Sequence, residues 1–175
     1  MPFPALLIPL LFWTGIAAIS SWAVSRALQL SAVRSIEIDA PADEVWDVIT
    51  DLGRSAEWND HIILSSAPAG LVEGEKLRMR TRHPETSMLK ASFRATITDF
   101  IPQQEMTWEA KVLFRWVLTA TDTIKLTALE GGRTEVTQSM IFEGTLSPGV
   151  PFLASIGQLQ EASNLKLKKL IEGNR

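Results

Sequence analysis

FRWVLTATDTIKLTALEGGRTEVTQSMIFEG, residues 114–144, decides the fold. Two long runs, 114–129 and 133–144, alternate apolar and polar residues, and Glu130-Gly131-Gly132-Arg133 separates them. Alternate side chains of a strand point to opposite faces, and glycines supply the positive φ that a tight hairpin turn needs. The stretch reads as an antiparallel hairpin with one apolar face. Trp116, Leu118, Ala120, Ile124, Leu126 and Ala128 share that face on the first strand; Val136, Met140 and Phe142 share it on the second. Two polar residues interrupt the row, Asp122 and Gln138.

Upstream the same period of two continues. It predicts strands at 61–66, 75–83, 89–101 and 104–112, with turn residues between them, and a first strand at 33–38. Asp39-Ala40-Pro41 opens a helix over 41–51, with acids in its first turn, and 54–59 reads as a second short helix carrying Trp58. After Pro148-Gly149 the spacing becomes helical over 151–172, with Phe152, Ile156, Leu159, Leu167, Leu170 and Ile171 along one face. The order implies an α+β fold: a curved antiparallel sheet of about seven strands, two short helices after the first strand, and a long C-terminal helix over one sheet face. A gap between a curved sheet and a covering helix is a natural ligand cavity.

Residues 1–28 are a different material. All 17 basic and 20 acidic side chains of the 175-residue chain lie at or after Arg26, so the 46% apolar content averages a charge-free leader and an ordinary domain. Residues 3–25 are long enough as a helix to cross a bilayer core of about 30 Å, with Trp22 near the charged end as an interfacial anchor. The expectation is a single-pass anchor through 3–25 and a domain over 33–172. Arg26 and Arg34 after the span place that domain in the cytoplasm. The rival reading is a signal peptide cleaved near Ala23, at Ser21-Trp22-Ala23.

The run SIEIDAPADEVWDVITDLGRSAEWN (35–59), then Gly74-Glu75-Lys76-Leu77, FRATITDFIPQQEMTWEA (93–110), Gly131 to Val136 and Gly144, resembles the START/Bet v1-like (SRPBCC) superfamily, and within it the polyketide cyclase/dehydrase-like branch. The resemblance covers about 33–172. It implies the helix-grip fold, a sheet wrapped around the C-terminal helix. It also implies an internal cavity for an apolar molecule such as a polyketide, terpenoid or lipid. Members of that superfamily include carriers as well as cyclases. An enzyme on this scaffold would be a cofactor-independent cyclase, dehydratase or isomerase of secondary metabolism. None of the matching residues is a catalytic signature, so fold does not name the activity.

Parity nominates the residues that face such a cavity. Asp122 on an apolar face would be desolvated, which raises its pKa and suits it to acid–base work; a bulge or a cationic partner would remove that role. His83, in step with Leu77 and Met79, is the second catalytic candidate. Trp58, Phe93, Trp108, Trp116, Leu118, Met140, Phe142 and Ile156 would supply wall. Asn59, Gln138, Gln160 and Ser163 would supply the sparse polar contacts, the last two lying inside the apolar arc of the final helix.

Other chemistries are poorly served. There is no cysteine, and His61 and His83 lack metal-ligand spacing, so no metal and no cofactor are expected. GxSxG, P-loop and GxGxxG motifs are absent. A net charge of −3 argues against nucleic acid. One outward feature supports an alternative. Lys76, Arg78, Arg80 and Arg82 form a basic stripe that could dock the chain to a membrane or a partner without any small-molecule ligand.

Overall fold

The computed structural model describes residues 3–27, 30–59, 62–82, 90–112, 114–147 and 153–173. Helix α1 (Phe3–Ala27) comes first, followed by strand β1 (Leu30–Ile38), helix α2 (Ala42–Thr50), a 3-10 turn (Leu52–Arg54) and the short helix α3 (Ser55–Trp58). Six strands follow, β2 (Ile62–Ser66), β3 (Lys76–Arg82), β4 (Lys90–Ile101), β5 (Glu105–Val112), β6 (Leu118–Leu129) and β7 (Arg133–Glu143), and then helix α4 (Leu153–Glu172). All seven strands form one sheet in the order β1-β7-β6-β5-β4-β3-β2, and every pairing is antiparallel. β2 to β7 are a meander, and β1 closes onto the last strand. This is the helix-grip arrangement.

The β6–β7 hairpin turns where the glycines stand. Gly131 and Gly132 both take positive φ, 78° and 74°, the conformation of the turn that matches strand twist. β6 starts later than alternation suggests. A strand from 114 would leave one residue to reverse the chain after β5, fewer than the two a hairpin requires. Residues 114–117 form the turn instead, closed by Val117 N–H donating to the Phe114 carbonyl at 2.9 Å. β1 starts earlier, at Leu30, because β7 offers a ladder out to Phe142.

The inner sheet face and the helices bury one main cluster. Ile38, Val45, Trp46, Ile49, Trp58, Leu77, Ile97, Met106, Trp108, Val136, Leu167 and Ile171 belong to it. A smaller cluster of Ala32, Phe142 and Ile156, with Leu118, Ala120 and Met140 against it, lies under the start of α4. The two ends of the domain therefore pack separately, and polar residues lie between them. α1 stands apart from both. No residue of its segment Leu7–Val24 is buried, and the segment is long and apolar enough to cross a membrane, a description that a signal sequence would also meet.

Candidate functional site

The polar residues on the inner face of β6 and β7 meet those of α4. Asp122 stands opposite Trp108 on β5 and Met140 on β7, and Gln138 pairs with Ile124, one diagonal step away. α4 answers with Ile156, Leu159, Gln160 and Ser163, the i, i+3, i+4, i+7 set that shares one helix face. Asn59, just after α3, completes the lining. Together these residues enclose a cavity of about 20 Å3, which is space for about one water molecule. A larger ligand would have to part α4 from the sheet.

The electrostatics of this cavity centre on Asp122. Part of its surface stays open to the cavity, yet protein surrounds the carboxyl. Desolvation pushes it up from an ordinary 3.8 to about 7, against a smaller lowering by the backbone N–H of Thr123. Near neutral pH it is divided between acid and base, the condition general acid–base catalysis needs. Around it two glutamine amides are short of partners. Gln138 Nε2 and both polar atoms of Gln160 are buried without a hydrogen bond, and each such group costs on the order of 1–3 kcal/mol.

One turn further on, Asn164 is 2% exposed and neither of its side-chain polar atoms is bonded. Sequence reasoning passed over it, and over Leu159 as a lining residue. The signal was available, since Asn164 lies four residues from Gln160 and three from Leu167 on the same buried arc.

The other nominated residues are dispersed. Trp108 is buried beside Asp122 in the ladder without lining the cavity, and Trp58 is buried in the main cluster with its Nε1 unbonded. Phe93, half-buried, packs on the main cluster opposite Met79. Leu118, Met140 and Phe142 join the smaller cluster, and only Met140 of the three lines the cavity. Trp116 is a correction: it is no cavity wall but 62% exposed in the 114–117 turn, because the chain has already left the sheet there. His83 lies outside the described residues. Among the described residues no group of three metal-ligating side chains comes together.

Among the described residues, hollows also lie elsewhere. One of about 550 Å3 opens between α2 and the β2–β3 connection, walled by Trp46, Leu52, Leu71 and Phe100. Another, about 440 Å3, runs over β3 and β4 and is lined in part by Arg78, Arg80, Arg94, Ser66 and Ser92. The register sets Arg78 opposite Arg94 and Arg82 opposite Lys90.

A family model described as polyketide cyclase/dehydrase and lipid transport matches residues 29–172. Among solved structures, a START superfamily protein from Mycobacterium smegmatis is 15% identical with a TM-score of 0.63, over 83% of this chain and 99% of that one. The Zhui aromatase/cyclase from Streptomyces sp. R1128 is 15% identical with a TM-score of 0.62, over 81% and 93%. A protein from Arthrobacter aurescens is 16% identical with a TM-score of 0.63, over 83% and 87%. At these identities the likeness is one of fold. No curated protein matches the sequence.

Proposed function

The chain belongs to the polyketide cyclase/dehydrase and lipid transport family, and from that premise we propose that it holds an apolar small molecule, a polyketide, terpenoid or lipid, between α4 and the sheet. The observation that carries this reading is the convergence of Asp122, Gln138 and Gln160 on one cavity between α4 and the sheet. Amide atoms left without protein partners, as on Gln138 and Gln160, are costly in a core built only for packing. They suit a ligand that is mostly greasy and carries one or two oxygens.

In this reading Met140, Ile156 and Leu159 yield as the ligand enters; Met140 adapts most readily, being unbranched and flexible. The amides orient a carbonyl or hydroxyl, and Asp122 donates or accepts its proton. As a cyclase the domain would hold a flexible chain in a reactive fold, where orientation lowers the barrier and Asp122 moves a proton at the site of enolisation or dehydration. As a carrier it would use the same contacts for binding alone. α1 would anchor the domain to the membrane in which such molecules dissolve, with Arg26 and Arg34 favouring the cytoplasmic side.

Native mass spectrometry of the full chain, extracted from its own host in mild detergent, tests the binding claim. A retained apolar compound that disappears in the Gln138→Leu, Gln160→Leu double variant is the expected result. Protein that is fully folded and consistently empty would sink it. Turnover of a candidate polyketide that survives Asp122→Asn would sink the acid–base role of Asp122, and binding without any turnover would leave the carrier version.

A second reading draws on β3 and β4, where like charges stand directly opposite, an arrangement that costs stability. Here the chain docks through this face to an anionic surface or partner and holds no small molecule. Binding that weakens steeply with salt, by protein without any retained compound, would favour it.

A further inference from the structure

The start of β1, the end of β5, the start of β6, the end of β7 and the start of α4 all lie at one end of the sheet. α1 leaves from that same end, since only two residues separate Ala27 from Leu30. This end carries three large apolar side chains that the core does not use. Phe114, Trp116 and Leu146 are 63%, 62% and 56% exposed. The rings of Phe114 and Trp116 lie parallel with centroids 6.1 Å apart, so they present one flat apolar tip.

The hydrogen bonds fix the level of this tip along α1. The Ser21 hydroxyl donates to the Thr145 carbonyl. Thr145 N–H donates to the Trp116 carbonyl at 2.9 Å, and Leu146 N–H to the Val117 carbonyl at 2.9 Å. The tip is thus pinned beside Ser21 and Trp22. Residues 3–22 of α1 rise roughly 30 Å at 1.5 Å per residue, about the thickness of a hydrocarbon core. If α1 spans the bilayer, Ser21 and Trp22 lie at its boundary, and Trp116 is held at the same depth.

We infer that the 114–117 turn and Leu146 form an interfacial anchor that rests in the headgroup boundary of the bilayer that holds α1. Tryptophan suits that boundary because its ring is apolar and its N–H is polar. Arg115, 75% exposed at the side chain between the two rings, and the neighbouring Lys111 suit it too, as long cationic side chains reach back to anionic headgroups. Glu109 faces both cations, with Lys111 Nζ at 2.7 Å and Arg115 Nη2 at 3.8 Å. The consequence is orientation. With α1 and the tip both fixed, the start of α4 and the smaller apolar cluster beneath it turn toward the lipid, the side from which an apolar ligand would arrive.

The inference rests on α1 as a membrane anchor, and the test separates the two. The chain has no cysteine, so single substitutions Ile16→Cys, Trp116→Cys and Glu130→Cys each accept one nitrobenzoxadiazole label. The labelled full-length chains are reconstituted in vesicles of phosphatidylethanolamine and phosphatidylglycerol, with or without lipid carrying a doxyl group high on its acyl chain. The expected result is blue-shifted emission at 16 and 116, loss of the 116 signal to the doxyl lipid, and an unshifted, unquenched signal at 130 on the far hairpin. A label buried at 16 but aqueous at 116 overturns the interfacial anchor and leaves α1 as the membrane helix. An aqueous label at 16 overturns the anchoring by α1 itself, and the interfacial anchor at its boundary falls with it. Disulfide-linked dimers of the unlabelled Trp116→Cys variant, with no quenching of the labelled one, would assign the tip to a second copy of the chain instead.

Discussion

Asp122 on β6 and Gln160 on α4 line the same small cavity, and no hydrogen bond joins them, since neither polar atom of Gln160 has a partner. A carboxyl and an amide left apart in this way are a poor solution for stability. Their separation leaves both available to something between them.

The position of Asp122 sets a pH dependence. Its folded pKa, about 7, lies above the ordinary 3.8, so the folded chain binds this proton more tightly than the unfolded chain does. Folding is therefore penalised progressively as pH rises from about 4 to about 7, and the penalty is constant above that. At 1.36 kcal/mol per pH unit the full penalty is of the order of 4 kcal/mol. Asp122→Asn keeps the shape and removes the charge. It should be more stable than the parent chain at pH 8, and the advantage should vanish by about pH 4. Denaturant titrations at the two pH values measure both, and equal stability at pH 8 would mean that the carboxylate is solvated when ionised.

Asn164 offers a second test of what the buried face is for. Replacing it by leucine, which has the same branched shape and a larger volume, removes two unbonded polar atoms from a site 2% exposed. Relief of their desolvation should stabilise the chain by about 1–3 kcal/mol. A loss of stability on urea titration beyond the about 1–3 kcal/mol that the added volume can cost would show that the amide is bonded in solution, by water or by a retained ligand.

The sequence reading succeeds where periodicity governs and stops where packing does. Strand parity puts Asp122 and Gln138 on the face that α4 covers, and helical spacing puts Gln160 and Ser163 on the face that covers it, so their juxtaposition follows from two periods. Parity does not say where a strand begins. Trp116 is in step with Leu118 and Ala120, yet it lies in the turn, because the chain needs those residues to reverse. Cavity size was equally illegible. Whether the polar cluster encloses 20 Å3 or many times that depends on how closely α4 approaches the sheet, a distance that no pattern of residue types encodes.

Gly157 sits within α4, where glycine costs about 1 kcal/mol relative to alanine. An added Cβ would come within 2.8 Å of Arg34 Nη2, so the glycine leaves room for the guanidinium to lie across the helix. Arg34 is exposed and its Nη1 donates to the Val33 carbonyl at 2.7 Å, so the end of the side chain can shift. Gly157→Ala should therefore be neutral or stabilising by up to about 1 kcal/mol. A clear drop in the denaturation midpoint that Arg34→Ala abolishes would instead make the Arg34 crossing a structural contact between β1 and α4.

Gly144 presents the opposite case, because what approaches it is backbone. Its φ is +111°, and a Cβ there would stand 2.6 Å from the Val117 carbonyl oxygen and 2.8 Å from the Val117 carbonyl carbon. A carbonyl already fixed by Leu146 N–H cannot swing aside as a side chain can. Gly70 provides the control, with φ of +90° and nothing within 4 Å of its added Cβ. Both alanine variants bear the conformational strain of positive φ, about 1–3 kcal/mol, and only Gly144→Ala adds the collision. Gly144→Ala should therefore lower the Tm well beyond Gly70→Ala, at about 2–4 °C per kcal/mol for a chain of this size. The collision also pushes the 114–117 turn away from Thr145, so the same variant should shift the emission of a label at Trp116→Cys while leaving one at Glu130→Cys unchanged. Equal Tm losses in the two alanine variants would mean that the turn is free to move, and that the close contact does not hold the aromatic tip in place.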